Sequence, residues 1–295
     1  MELKLDLVTK SFNDFTAVNG VSYSMANGIY GLLGVNGAGK TTLMRMICTL
    51  LKPTKGSITY DGSDIWKMDS EYRRILGYLP QDFGFYPDLT AEEYLMYIAS
   101  IKGIRSVAAK RKVDELLHLV GLEKVRRKKM KKFSGGMKRR AGIAQAMLND
   151  PKVLILDEPT AGLDPNERIR FRNLISELAQ ERLVLLSTHI VSDVEYIAND
   201  ILLMKEGRIA CSGSAQELVE GMEEKVWTCL VARPEVNAYM KRFKVSNVKT
   251  VPDGIELRML SAEKPCGHAR RETASLEDVF LYYFGEKAGE ENAEI

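Results

Sequence analysis

The residues with the clearest chemical potential run from Gly34 to Thr41, as Gly-Val-Asn-Gly-Ala-Gly-Lys-Thr. This GxxxxGK[ST] spacing suits a backbone that curls until its N–H groups converge on phosphate oxygens. Gly34, Asn36, Gly37, Ala38 and Gly39 make up the cradle, and Lys40 brings a point charge to the β- and γ-phosphates. Thr41 offers a hydroxyl to Mg²⁺, with Thr42 next to it, and the helix expected to begin here adds a favourable dipole. A second candidate is the apolar run Val153-Leu154-Ile155-Leu156, which ends in Asp157-Glu158. A carboxylate at the end of such a strand faces the crevice where open α/β sheets bind ligands. Asp157 is placed to hold Mg²⁺ directly or through water. Glu158 is placed to orient or deprotonate an attacking water. Together these motifs specify hydrolysis of a nucleoside triphosphate and no more.

The elements that must position these residues follow from periodicity. Residues 2–9 alternate polar and apolar, as a half-exposed strand does, and a second strand is expected over Gly20–Met25. Gly28–Leu33 reads as a buried strand, followed by a helix from Gly39 to about Leu51 that stops near Pro53. Thr90-Ala91-Glu92-Glu93 has capping-box form and starts a helix through Ile101. Further helices are expected over Ala108–Val120 and Gly135–Leu148, so about 85–150 reads as an inserted helical subdomain. Alternation resumes with Val153–Leu156, with Asp164-Pro165 opening a helix through Ala179, and with the strand Leu183–Leu186. Ser192 and Glu195 are spaced as another capping box, and Ile201–Lys205 with Arg208–Cys211 as a hairpin across Glu206-Gly207. Strands linked by helices predict a doubly wound α/β core. Beyond about Gly221 the pattern changes. Strands at Val226–Val231, Val245–Val251 and Ile255–Leu260, a helix near Pro234–Phe243 and a last one at Ser275–Phe284 predict a small α+β domain over 222–285. Residues 261–274 read as loop and 286–295 as an acidic tail.

Other features narrow the class. Gln81 in YLPQD, Ser134-Gly135-Gly136 before a helix, Ala161-Gly162-Leu163-Asp164 and His189 in LLSTH follow in that order. With the phosphate loop and Asp157-Glu158, this set resembles the ABC (ATP-binding cassette) ATPases over about residues 1–220. The resemblance implies a P-loop α/β core with an antiparallel β subdomain and an inserted helical subdomain. It implies ATP as substrate and Mg²⁺ as cofactor. Gln81 resembles the glutamine that reaches Mg²⁺ and the attacking water. Ser134, Gly135 and Gly136 resemble the signature motif, Asp164 the D-loop aspartate, and His189 the switch histidine near the γ-phosphate. Phe12 falls where the family places an aromatic ring against adenine, with Phe15 the second candidate. The chain departs from the family by carrying Phe133 and Met137 where many members have leucine and glutamine, and phenylalanine where the adenine ring partner is usually tyrosine. In the family the signature motif of one subunit caps ATP held by the other, so a homodimer or ABC heterodimer is implied. The physical sense is that Gly135-Gly136 opens a helix, whose N-terminus attracts anions.

Ser275–Gly285, SLEDVFLYYFG, is similar to the closing segment of ATPases in ABC-2-type exporters, and the stretches around the phosphate loop and Gln81 share that likeness. This implies an integral membrane permease on a separate chain. No apolar run approaches the roughly 20 residues needed to cross a bilayer, and the start lacks secretory-signal form. The expected place is therefore cytoplasmic, peripheral at the inner face of the membrane. A soluble cassette acting on ribosomes or nucleic acid is the alternative. The net charge of +2 gives it no support, and Lys124–Lys132, KVRRKKMKK, reads as a solvated loop, so no nucleic acid partner is expected. Cys48, Cys211, Cys229 and Cys266 are scattered without a CxxC pair, which argues against a zinc site or disulfide framework.

Overall fold

The computed structural model describes residues 1–285, so the acidic segment 286–295 lies outside the described residues. A six-stranded sheet forms the centre, in the order 208–213, 200–205, 28–33, 183–188, 153–156, 76–79. All neighbours are parallel except the terminal hairpin 200–205 with 208–213. Val153–Leu156 and Leu183–Thr188 are buried at every position, because helices cover both faces of a parallel sheet. A four-stranded antiparallel sheet, ordered 15–25, 3–12, 55–60, 63–64, packs its apolar side onto the helix Lys40–Ile47. Between the strands Leu76–Leu79 and Val153–Leu156 the chain makes three helices, Ala91–Ile101, Ser106–Leu119 and Gly135–Ala146. A third sheet, ordered 244–251, 254–260, 226–231, 270–271, is antiparallel and carries its own apolar cluster around Trp227, Leu257 and Met259. The fold class is the expected α/β core with added antiparallel, helical and α+β parts.

Several local expectations change. The second strand begins at Phe15, because it pairs with the first strand right back to Phe12. The phosphate-loop helix ends at Ile47, well before Pro53. Thr49 turns left-handed (φ 56°), and Leu50 N–H donates to the Arg45 carbonyl, which closes the helix from within. Ser192 and Glu195 form no capping box. Val191–Asp193 is a single 3₁₀ turn without a side-chain cap, and the Asp193 carboxylate turns inward instead. The 261–274 stretch contains a short strand, Arg270–Arg271, paired with Trp227 and Thr228. The basic run holds two 3₁₀ turns, and Arg126 grips Glu92 bidentately while also meeting Asp114. Lys129 and Lys131 both reach Asp88.

Candidate functional site

The phosphate loop leaves the strand Gly28–Leu33 and enters the helix Lys40–Ile47 at the carboxyl end of the parallel sheet. Gly39 takes φ 103°, and a Cβ there would lie 2.3 Å from the Ala17 carbonyl oxygen. Only glycine lets the loop pass this close to the antiparallel sheet. The loop encloses a cavity of about 420 Å³, lined by Asn36, Gly37, Lys40, Thr41, Thr42, Gln81 and Glu158 among others. Lys40 is buried; its ammonium donates to the carbonyls of Gly34 (2.7 Å) and Val35 (3.2 Å) and lies 3.3 Å from Glu158 Oε1. This holds the charge over the mouth of the amide cradle.

The neighbouring strand ends deliver the carboxylates. Asp157 is fully buried, and its Oδ1 accepts from Thr41 Oγ1 (3.2 Å) and Ser187 Oγ (2.7 Å). Its Oδ2 is buried without a hydrogen-bond partner among the described residues. A hard cation such as Mg²⁺ takes oxygen ligands from carboxylates and hydroxyls. A buried carboxylate oxygen with a threonine hydroxyl beside it fits that need. Glu158 adopts φ 46°, a sparsely populated conformation for a residue with a side chain. Its N–H donates to Ser187 Oγ (2.9 Å), and its Oε2 lies 2.9 Å from His189 Nδ1. His189 follows the strand Leu183–Thr188, directly beside the strand carrying Asp157. The turn after it is held by Asp193, whose Oδ2 accepts from Thr160 Oγ1 (2.5 Å) and Thr188 Oγ1 (3.3 Å).

Gln81 lines this cavity and also a second one with Gly135, Lys138, Arg139, Ala161 and Gly162. Arg139, on the helix Gly135–Ala146, donates to the Gln81 carbonyl at 2.8 Å. Burial pulls its pKa down, and the acidic neighbours Asp82, Asp157 and Glu158 push it back. Ser134 caps that helix, its Oγ accepting from Met137 N–H (3.2 Å), and Asp164 caps the helix Pro165–Leu178 by accepting from Glu167 N–H (2.9 Å). Ser134, Gly135 and Gly136 do not line the phosphate-loop cavity.

The two aromatic candidates sit differently against the cavity. Phe15, not Phe12, lines the cavity; Phe12 sits beside Lys10, whose ammonium is 5.1 Å from its ring centre. The two are cross-strand partners at the hairpin end, and both rings are exposed. Ser187, Thr160, Asp193 and Arg139 belong to the site but were not singled out from sequence. Ser187 has a readable signal, a hydroxyl closing the apolar run Leu183–Leu186.

A phosphate loop, a paired Asp157-Glu158 at a strand end, a histidine on the adjacent strand end and a Ser-Gly-Gly helix start define an ABC-type ATP-binding cassette. The chain belongs to the ABC transporter ATP-binding proteins. The ABC transporter family matches residues 18–161. The "Uncharacterized ABC transporter ATP-binding protein YxlF" of Bacillus subtilis (strain 168) is 37% identical over 294 residues, 95% of this chain and 98% of that protein. The Nod factor export ATP-binding protein I of Burkholderia orbicola (strain AU 1054) is 35% identical over 289 residues, 94% of this chain and 95% of that protein. Among solved structures, a dimeric post-hydrolysis state of an ATP-binding cassette bound to ADP and Pi superposes with a TM-score of 0.65. It is 25% identical and covers 72% of this chain and 98% of its own. Among the described residues, no helix is long and apolar enough to cross a membrane.

Proposed function

We propose that this chain hydrolyses ATP as one half of a two-site dimer and drives export through an integral membrane permease on a separate chain. The observation that carries the dimer is the separation of two surfaces. The phosphate loop lines one cavity, while Gly135 at the signature helix lines another, and Gln81 is common to both. A second subunit turned head-to-tail brings a helix N-terminus to the phosphates that the first subunit holds. The pairing is a homodimer or an ABC heterodimer. The export reading is supported by the Nod factor export relative, which spans nearly the whole chain. A place at the inner face of the membrane follows from that partner.

The reaction is ATP plus water giving ADP and phosphate. Phosphate-loop amides and Lys40 bind and orient the β- and γ-phosphates, and Phe15 offers a π-face to the adenine. Glu158 accepts a hydrogen bond from the attacking water and draws its proton as the oxygen approaches phosphorus. His189 keeps the Glu158 carboxylate in place through Nδ1, leaving its other ring nitrogen for a phosphate oxygen. Asp157, Thr41 and Gln81 would hold Mg²⁺, which would supply neutralisation of phosphate charge when bound. Ser187 orients Asp157 by hydrogen bonding. Asp164 fixes the helix start beside the signature surface. Residues 1–221 act as the ATPase unit and 222–285 as an accessory unit.

Pairing of Arg126, Lys129 and Lys131 with carboxylates supports a permease over a nucleic acid as partner. The test is turnover against protein concentration, with and without the candidate permease in vesicles. Specific activity should rise with concentration and again with permease. Turnover that is independent of both would overturn the reading.

A further inference from the structure

The C-terminal sheet brings together two thiols that the ATP site does not use. Cys229 is fully buried in the strand Val226–Val231, within the cluster that holds Trp227, Leu257 and Met259. Cys266 is half-buried, next to Pro265 in the segment after the strand Gly254–Leu260. Their Sγ atoms lie 2.8 Å apart, although 37 positions separate them in the chain. Both are free thiols. We infer that Cys229 and Cys266 form a peroxide-oxidisable dithiol, a modification site in which Cys266 attacks the oxidant and Cys229 resolves it to a disulfide.

Free cysteines usually pack as small apolar side chains, and Cys48 fits that description in the central core. The pair differs from it in three ways. The two sulfurs are already in contact, and a closing of about 0.8 Å reaches the disulfide bond length. One partner is open to solvent and the other is not, which gives a small oxidant one point of entry. The surroundings are also polar on the open side, where the Tyr239 hydroxyl bonds Cys266 and Lys264 precedes it by two residues. Burial, and then the hydrogen bond and charge of Cys266, push the Cys229 thiol up to about 12. Cys229 therefore waits as a thiol, and the first attack falls to Cys266.

The chemistry balances with a peroxide as oxidant. The Cys266 thiolate sulfur bonds to one peroxide oxygen, the O–O bond breaks, and hydroxide leaves to become water. Cys266 is then a sulfenic acid. The Cys229 sulfur displaces hydroxide from that sulfur and gives up its own proton, releasing a second water. Two thiols lose two electrons and the peroxide gains two. The new bond pins the segment around Cys266 to the strand Val226–Val231 and closes a long chain loop, which restricts the unfolded state.

The experiment treats the full chain with hydrogen peroxide, alkylates it, and maps peptides by mass without reduction. The expected product joins the Cys229 and Cys266 peptides, lowers the intact mass by two hydrogens, and is reversed by dithiothreitol. In Cys229→Ser the reaction should stop at a Cys266 sulfenic acid that dimedone captures. In Cys266→Ser, Cys229 should take no dimedone. The inference is overturned if folded wild-type protein carries Cys266 on to sulfinic acid without the cross-link. Equal dimedone labelling in the two variants would overturn it as well.

Discussion

His189 Nδ1 lies 2.9 Å from Glu158 Oε2, while Glu158 Oε1 lies 3.3 Å from Lys40 Nζ. One carboxylate thus meets a histidine after one strand end at one oxygen and pairs with the lysine that opens the phosphate-loop helix at the other. Such fixing keeps a catalytic base at one position instead of letting it sample rotamers.

Glu158→Gln keeps the shape and the contact to His189 but removes the base. We expect ATP binding to remain and turnover to fall by about 10²–10⁴-fold, the usual worth of a positioned general base. The variant should also accumulate as an ATP-bound dimer on size exclusion. Near-normal phosphate release would remove Glu158 from the assigned role.

Asp193 collects the hydroxyls of Thr160 and Thr188 next to His189. Asp193→Ala leaves two buried hydroxyls without that acceptor and frees the turn. Turnover should drop by up to about 10²-fold through misplacement of His189, with nucleotide affinity unchanged. A matching loss of affinity would show that the turn acts on binding and not on position.

Phe15→Ala should weaken ATP binding by about 1–3 kcal/mol, the usual worth of one aromatic stack on a base. Phe12→Ala should leave affinity within a factor of about two, since its ring lies by Lys10. Titration with a fluorescent ATP analogue separates the two, and the reverse ranking would assign the stacking to Phe12.

What was legible in the sequence is local. The phosphate loop works through consecutive backbone amides, so glycine spacing alone reveals it, and Asp157-Glu158 follows from one apolar run. The contacts that refine the site are not local. Ser187 meets Asp157 across 30 positions and Thr160 meets Asp193 across 33. These depend on which strands become neighbours. The failed capping box at Ser192 has the same origin. Buried hydroxyls compete for the Asp193 carboxylate and hold that segment in a single tight turn. Phe12 and Phe15 show a limit of another kind. Both are phenylalanines that suit adenine, and as cross-strand partners at one hairpin end they are not separated by residue type.

Gly136 is the second residue of the signature helix, with Glu167 against it; a Cβ there would come 2.6 Å from Glu167 Oε2. Glu167 is also tied to Arg140 and Arg170, so a shift of its carboxylate disturbs both contacts. Gly136→Ala should therefore displace the helix start while leaving the phosphate loop intact. Nucleotide binding by the single chain should persist, whereas ATP-dependent dimerisation and turnover should be lost together. Retained dimerisation with ATP would show that the signature helix tolerates the shift.

The Arg258–Asp278 ion pair gives the C-terminal region an acid-sensitive contact. Arg258 donates Nε to Asp278 Oδ1 (3.2 Å) and Nη2 to Oδ2 (2.6 Å), and Asp278 is buried at the start of the helix Leu276–Phe284. Burial pushes the Asp278 carboxyl up, but Arg258 and the N–H and hydroxyl of Ser275 together hold it below its ordinary value. A carboxyl lowered on folding adds stability above its unfolded pKa, near ~3.9, and loses it as pH falls through the folded value. Thermal melts of the wild type should therefore drop on acidification below about pH 4. Asp278→Asn should flatten that limb. Arg258→Ala should cost about 3–5 kcal/mol at neutral pH, because it strands a buried charge. A change within about 0.5 kcal/mol, the range of ordinary surface substitutions, would mean that water or another cation replaces the guanidinium.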